Sequence, residues 1–200
     1  GKWVLTEVCR QLNLWQKNFP IAASMTISVN LSAIQLANPD WLLQIDDFLA
    51  GYSLKGANLK LEITESVLME NAGRATGILE QLKAKQIQVS IDDFGTGYSS
   101  LSYLHYLPID TLKIDRSFVS NMEIQPKNAT LVKSIVTLAH SLGLDVIAEG
   151  VETAKQMAIL RSLGCEYGQG YLFSRPMDPE AIDFLLNNLQ DQSEQWQKSS

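Results

Sequence analysis

The stretch Ser90-Ile91-Asp92-Asp93-Phe94-Gly95-Thr96-Gly97-Tyr98-Ser99-Ser100 sets two adjacent carboxylates at the end of an apolar strand and follows them with a glycine-punctuated loop. Taken alone, Asp and Gly in this order are ordinary turn formers. The strand before them carries more information. Val89 and Ile91 alternate with Ser90 and Asp92, giving one apolar and one polar face. The same alternation returns elsewhere. Ile27, Val29 and Leu31 oppose Ser28 and Asn30; Leu61 and Ile63 oppose Lys60 and Glu62; Leu112 and Ile114 oppose Thr111, Lys113 and Asp115.

Strands are expected at residues 25 to 31, 59 to 65, 88 to 93, 111 to 115, 145 to 149 and 168 to 173, with helical periodicity between them. Val4, Leu5, Val8, Leu12 and Trp15 recur at helical spacing, as do Leu131, Val132, Ile135, Val136, Ala139 and Leu142. Asp178-Pro179 opens a last helix whose apolar face is Ile182, Leu185, Leu186 and Leu189. Strand and helix in alternation imply a parallel sheet. A doubly wound sheet covers both faces with helices, so both parities should be apolar. Here one parity is polar on strand after strand, with its charges toward the C-terminal ends. That pattern fits the rim of a TIM-type (β/α) barrel, where barrel enzymes hold their catalytic residues. About six strand-helix units are present against about eight in a closed barrel, so the barrel is expected to be incomplete, with N-terminal strands missing. Residues 1–189 read as one such domain, and the polar stretch 190–200 as a frayed tail.

The 200 residues are 46% hydrophobic with a net charge of −6. A substantial core is possible, and sequence-independent binding to long nucleic acids is disfavoured, because that affinity comes from Lys and Arg neutralising phosphates. No apolar run is long enough to span a bilayer, so no membrane contact by this domain itself is expected. Cys9 and Cys165 stand far apart without His or Cys at metal-ligand spacing, which argues against a zinc site or a disulfide and for a reducing cytoplasm. His105 and His140 stand alone and are read as structural or exposed.

Glu62, Asp92, Asp93, Asp115 and Glu149 converge on one rim in this arrangement, and close carboxylates repel unless a proton or a cation neutralises them. Oxygen donors with Asn30 beside them suit Mg²⁺ or Mn²⁺ better than zinc. Two such ions about 4 Å apart can clamp the attacking and leaving oxygens of a phosphodiester displacement. Lys113 would orient the water or steady the phosphoryl charge. The alternative is a solvated polar mouth with internal ion pairs, Lys113 to Asp115 or Lys60 to Glu62.

Six strings, Ser28-Val29-Asn30-Leu31-Ser32-Ala33, Leu61-Glu62-Ile63-Thr64-Glu65, Asp92 to Leu101, Lys113-Ile114-Asp115, Ala148-Glu149-Gly150-Val151-Glu152-Thr153 and Gln169-Gly170-Tyr171-Leu172-Phe173, resemble in order the motifs of EAL-type cyclic di-GMP phosphodiesterases. The resemblance covers nearly the whole chain. It implies hydrolysis of cyclic di-GMP to linear pGpG in bacterial second-messenger signalling. The implied metal ligands are Asn30, Glu62, Asp92, Asp93 and Glu149, with Lys113 holding the attacking water and Glu149, Glu65 and Gln169 in the catalytic set. Gln35, Asp115 and Gln169 fall on the substrate side. Glu65 would fix the loop of Gly95, Thr96, Gly97, Tyr98 and Ser99, which in this family leads to a dimer interface, so a homodimer is expected. Glu152 shares the mouth, or else caps the helix after it.

The Glu-Ala-Leu triplet that names the family does not occur in the chain. The expectation is therefore a domain lacking its opening strands and first motif, weak or inactive as it stands, whose parent is an active enzyme. Two alternatives stay open: a cyclic di-GMP receptor or interaction module without turnover, and a barrel hydrolase acting on another phosphodiester.

Overall fold

The computed structural model describes residues 1–38, 40–70, 72–97 and 104–198. Six strands, β1 (Ile27–Asn30), β2 (Leu59–Thr64), β3 (Gln88–Phe94), β4 (Thr111–Ile114), β5 (Asp145–Glu149) and β6 (Tyr167–Gln169), form one sheet. Every neighbouring pair is parallel, and spatial order equals chain order from β1 to β6. A doubly wound sheet reverses its order at a switch point. This one never does, and the architecture is an incomplete TIM-type α/β barrel whose two edges are β1 and β6.

The helices are α1 (Lys2–Asn18), α2 (Ala33–Leu36), α3 (Trp41–Gly51), α4 (Glu65–Glu70), α5 (Ala72–Ala84), α6 (Arg116–Ser120), α7 (Pro126–Ser141), α8 (Ala154–Ser162) and α9 (Pro179–Lys198). They cover the outer, apolar face of the sheet. Leu61, Ile63, Val89, Ile91, Leu112, Ile114, Val146 and Ala148 are all buried there, against Leu79 and Leu82 of α5 and Val132, Ile135, Val136 and Ala139 of α7. Removing one such side chain, as in Ile63→Ala, costs about 2–5 kcal/mol.

Side-chain caps fix where strands hand over to helices. Ser32 and Gln35 form a reciprocal box at the start of α2, Asp115 accepts the N–H of Ser117 at α6, and Thr153 with Gln156 boxes α8. Thr153, and not Glu152, therefore caps α8.

Two expectations need adjusting. The last strand stops at Gln169 instead of Phe173, because the chain turns at Gly170 and Leu172 donates its N–H back to Val151 O. Among the residues of the last helix whose side chains are described, Leu186 alone is fully buried, in a small cluster with Trp15, Phe19 and Ala22, while Leu185 and Leu189 stay exposed. It touches α1 along one edge, where Trp15 Nε1 donates to Asp183 at 2.6 Å. Cys9 and Cys165 are free thiols. No helix among the described residues is long and apolar enough to cross a membrane.

Candidate functional site: a carboxylate cluster around Lys113

Residues in register on parallel strands share a face. Asn30 pairs with Glu62, Glu62 with Ser90, Ser90 with Thr111, and Glu149 with Gln169, so the polar parity lines one concave surface. It is layered. Toward the N-terminal ends, Lys60 donates to Thr111 at 3.1 Å, and burial lowers the Lys60 pKa. A cavity of about 440 Å³ bordered by Thr26, Lys60, Gln88 and Asp145 opens beside this layer.

Toward the C-terminal ends, Lys113 reaches three carboxylates from three strands: Glu62 at 2.6 Å, Asp92 at 2.9 Å and Glu149 at 2.6 Å. The Lys113 side chain is 3% exposed. Burial opposes its charge, but the hydrogen bonds to Glu149, Glu62 and Asp92 outweigh that and raise its pKa. Burial raises the Glu149 pKa despite the bond to Lys113, helped by the nearby charges of Asp92 and Glu62. One ammonium thus leaves a surplus of negative charge. The ion pairs expected as an alternative, Lys113 to Asp115 or Lys60 to Glu62, do not occur among the described residues.

Asp93 joins the cluster through a backbone irregularity. Strict alternation would turn Asp92 and Asp93 to opposite faces. Between Ile91 and Phe94 the register against β4 shifts by one residue, and Asp93 takes φ = 55°. That bulge lets Phe94 return to the buried outer face, while Asp92, Asp93 and Glu149 bring carboxylate oxygens within 4.8 Å of one another. Burial raises the Asp93 pKa, and the charges of Asp92 and Asp115 add to it.

The turn after the bulge is held from below. Gly95 has φ = 96°, and a Cβ there would lie 3.0 Å from the Phe118 ring. Its N–H donates to Glu65 Oε2 at 3.0 Å, and Glu65 is buried at the start of α4. Thr96 bonds back to Asp93 O through both its N–H and its hydroxyl. Gly97 also lies against the Glu65 carboxylate. Tyr98 and Ser99, expected in the same loop, lie outside the described residues.

The remaining expected residues surround the cluster. Asn30 ends β1, exposed. Gln35 lies beyond it, its side chain engaged with Ser32. Asp115 caps α6, and Gln169 ends β6 in the open. Glu149, Glu152, Gln169 and Tyr171 border a cavity of about 230 Å³ together with Arg116 and Gly150. Arg116 was not singled out from sequence, although a cation one residue past a strand-end Asp was the available signal. The chain approaches itself closely here, since Gly150 has φ = 67° and a Cβ on it would meet Arg116 Cβ at 2.6 Å.

A hard divalent cation fits this donor set. The donors are carboxylate oxygens, and those of Asp92, Asp93 and Glu149 converge.

Residues 1–176 match the family model described as the EAL domain. Among curated relatives, the bifunctional diguanylate cyclase/cyclic di-GMP phosphodiesterase MucR of Pseudomonas aeruginosa is 46% identical over 91% of this chain and 26% of its own length. The chain spans about a quarter of the length of the curated relatives it matches. A solved structure of the PaMucR phosphodiesterase in complex with c-di-GMP superposes with a TM-score of 0.86 at 46% identity, over 91% of this chain and 73% of that one. A manganese/cy-diGMP complex of Klebsiella pneumoniae BlrP1 gives 0.75 at 30% identity, over 88% and 43%.

Proposed function

The chain belongs to the EAL domain family, and on that premise we propose that its site hydrolyses cyclic di-GMP to linear pGpG with two bound Mg²⁺ or Mn²⁺ ions. The observation that carries the proposal is the convergence of Asp92, Asp93 and Glu149, reached through the bulge in β3, on the Lys113 cluster at the C-terminal end of the sheet. Carboxylate surplus at that end of a parallel barrel is the usual location of barrel catalysis.

Asn30, Glu62, Asp92, Asp93 and Glu149 would hold the ions. Ions bound there would supply Lewis-acid polarisation of the phosphodiester and lower the pKa of a water. Lys113 Nζ donates a hydrogen bond to the attacking water and fixes its line of approach. Glu65, through the Gly95 N–H, holds the Asp93 turn in place. Asp115 keeps α6 at the rim, and with Gln35 and Gln169 it forms the substrate side. The Glu-Ala-Leu glutamate has no counterpart in these 200 residues, so turnover by this chain is expected to be weak. Loss of one electrostatic catalytic group typically costs about 10² to 10³ in rate. A homodimer and a cytoplasmic location belong to the same reading, and light scattering tests the first.

The test is chromatographic detection of pGpG after incubation with cyclic di-GMP and Mn²⁺, with Asp92→Asn as control. Product that vanishes in the control supports the enzyme. Binding of cyclic di-GMP without product turns the assignment to a receptor.

A further inference from the structure

Lys113 Nζ lies 2.6 Å from Glu62 of β2, to which it donates a hydrogen bond, and pairs with Asp92 of β3 at 2.9 Å and Glu149 of β5 at 2.6 Å in a nearly sealed position. Its charge cancels repulsion among carboxylates that three separate strands force together. Asp93 differs: its carboxylate lies within 4.8 Å of Asp92 and Glu149, yet it is outside the set of carboxylates paired with Lys113.

We propose that Lys113 is the resident counter-cation of the metal-free site, and that a divalent ion enters on the Asp93 side and takes over carboxylates from it. The inference rests on the ion-binding reading above. Before metal arrives, Lys113 fixes Glu62, Asp92 and Glu149 near their ligating positions. An ion held by these carboxylates would take over part of the neutralisation that Lys113 supplies and loosen its pairing with them. The same charge makes Lys113 a competitor of the ion, so it stabilises the empty protein and weakens metal affinity.

The test compares wild type, Lys113→Met and Lys113→Arg, reading free Mn²⁺ by electron paramagnetic resonance and melting temperature in EDTA. The expected result for Lys113→Met is Mn²⁺ binding tighter by at least about 10-fold, since a charge adjacent to the ion is removed. It should also melt lower in EDTA, with the gap closing at saturating Mn²⁺. Lys113→Arg keeps the charge and should stay near wild type in both readouts. A lysine that only packs would lower stability without tightening metal. If Lys113→Met folds poorly, adding Glu62→Gln removes the unpaired charge and should restore the EDTA melt.

Wild-type binding with equal or weaker binding by Lys113→Met overturns the inference and leaves the ion site standing. Binding gained only in Lys113→Met supports it. Absence of Mn²⁺ binding in wild type and in both variants overturns the inference and the ion site together.

Discussion

Replacing Asp93 by Gly and by Ala separates the backbone cost of the bulge from the charge it delivers. Both substitutions delete the carboxylate. Only glycine also relaxes φ = 55°, a left-handed conformation that costs an ordinary L-residue about 1–2 kcal/mol. Glycine loses part of that gain, because it surrenders about 0.5–1 kcal/mol more chain entropy on folding than alanine. The difference leaves Asp93→Gly more stable than Asp93→Ala by about 0.75 kcal/mol at the midpoints of these ranges, or about 1.5–3 °C for a chain of this size. At the opposite end of the same strand, exposed Gln88 is in regular pairing with Lys60. There the order should invert, with Gln88→Ala more stable than Gln88→Gly by about 0.5–1 kcal/mol. Urea unfolding in EDTA measures all four variants without interference from metal. Both Asp93 variants should lose Mn²⁺ affinity equally. An Asp93→Ala protein as stable as Asp93→Gly would refute a strained backbone at the bulge.

Three further outcomes are expected. Gly95→Ala meets both a disfavoured φ and the Phe118 ring, so it should lose about 1–3 kcal/mol in thermal unfolding and lower turnover of cyclic di-GMP. Glu65→Leu leaves the Gly95 N–H without its carboxylate, costing about 1–3 kcal/mol, whereas Glu65→Gln keeps an acceptor and should recover most of it; equal melts for the two would contradict the clamp. Burial pushes the Cys165 thiol up to about 11 from 9.0, so at pH 8 iodoacetamide should label the unfolded chain far faster than the native one. Because the folded value lies above the unfolded one, the stability tied to the neutral thiol is complete below pH 9 and lost as pH climbs toward 11, which urea titrations of Cys165→Ser against wild type will show as a diverging gap.

Side-chain parity made the fold legible. Lys60, Glu62, Thr111 and Lys113 sit on the concave face because each alternates with a buried aliphatic neighbour, and the alternation is written in the residues themselves. The approach of Asp93 to Asp92 was not written there, since it depends on an extra residue in β3 that only pairing with β4 defines. The end of β6 is likewise set by pairing that the residues do not spell out. Tyr171 to Phe173 have strand-like composition, but backbone bonds to Val151 and Gly170 turn them aside. Arg116 has no motif of its own in the sequence, where it follows Asp115, the residue that caps α6. On α9, apolar periodicity overstated burial, since periodicity records a face without recording what lies opposite it.

The unbroken order of the sheet bears on how the chain assembles during synthesis. Each strand pairs with the one made just before it, so every segment leaving the ribosome meets a ready edge, and no strand waits exposed for a partner encoded much later. This order permits assembly as a zipper from β1 toward β6, each step closing a loop of one helical crossover. The acidic cluster matures in the same sequence: Glu62 arrives first, then Asp92 and Asp93, and Lys113 follows before Glu149, so the neutralising charge is in hand when the last carboxylate docks.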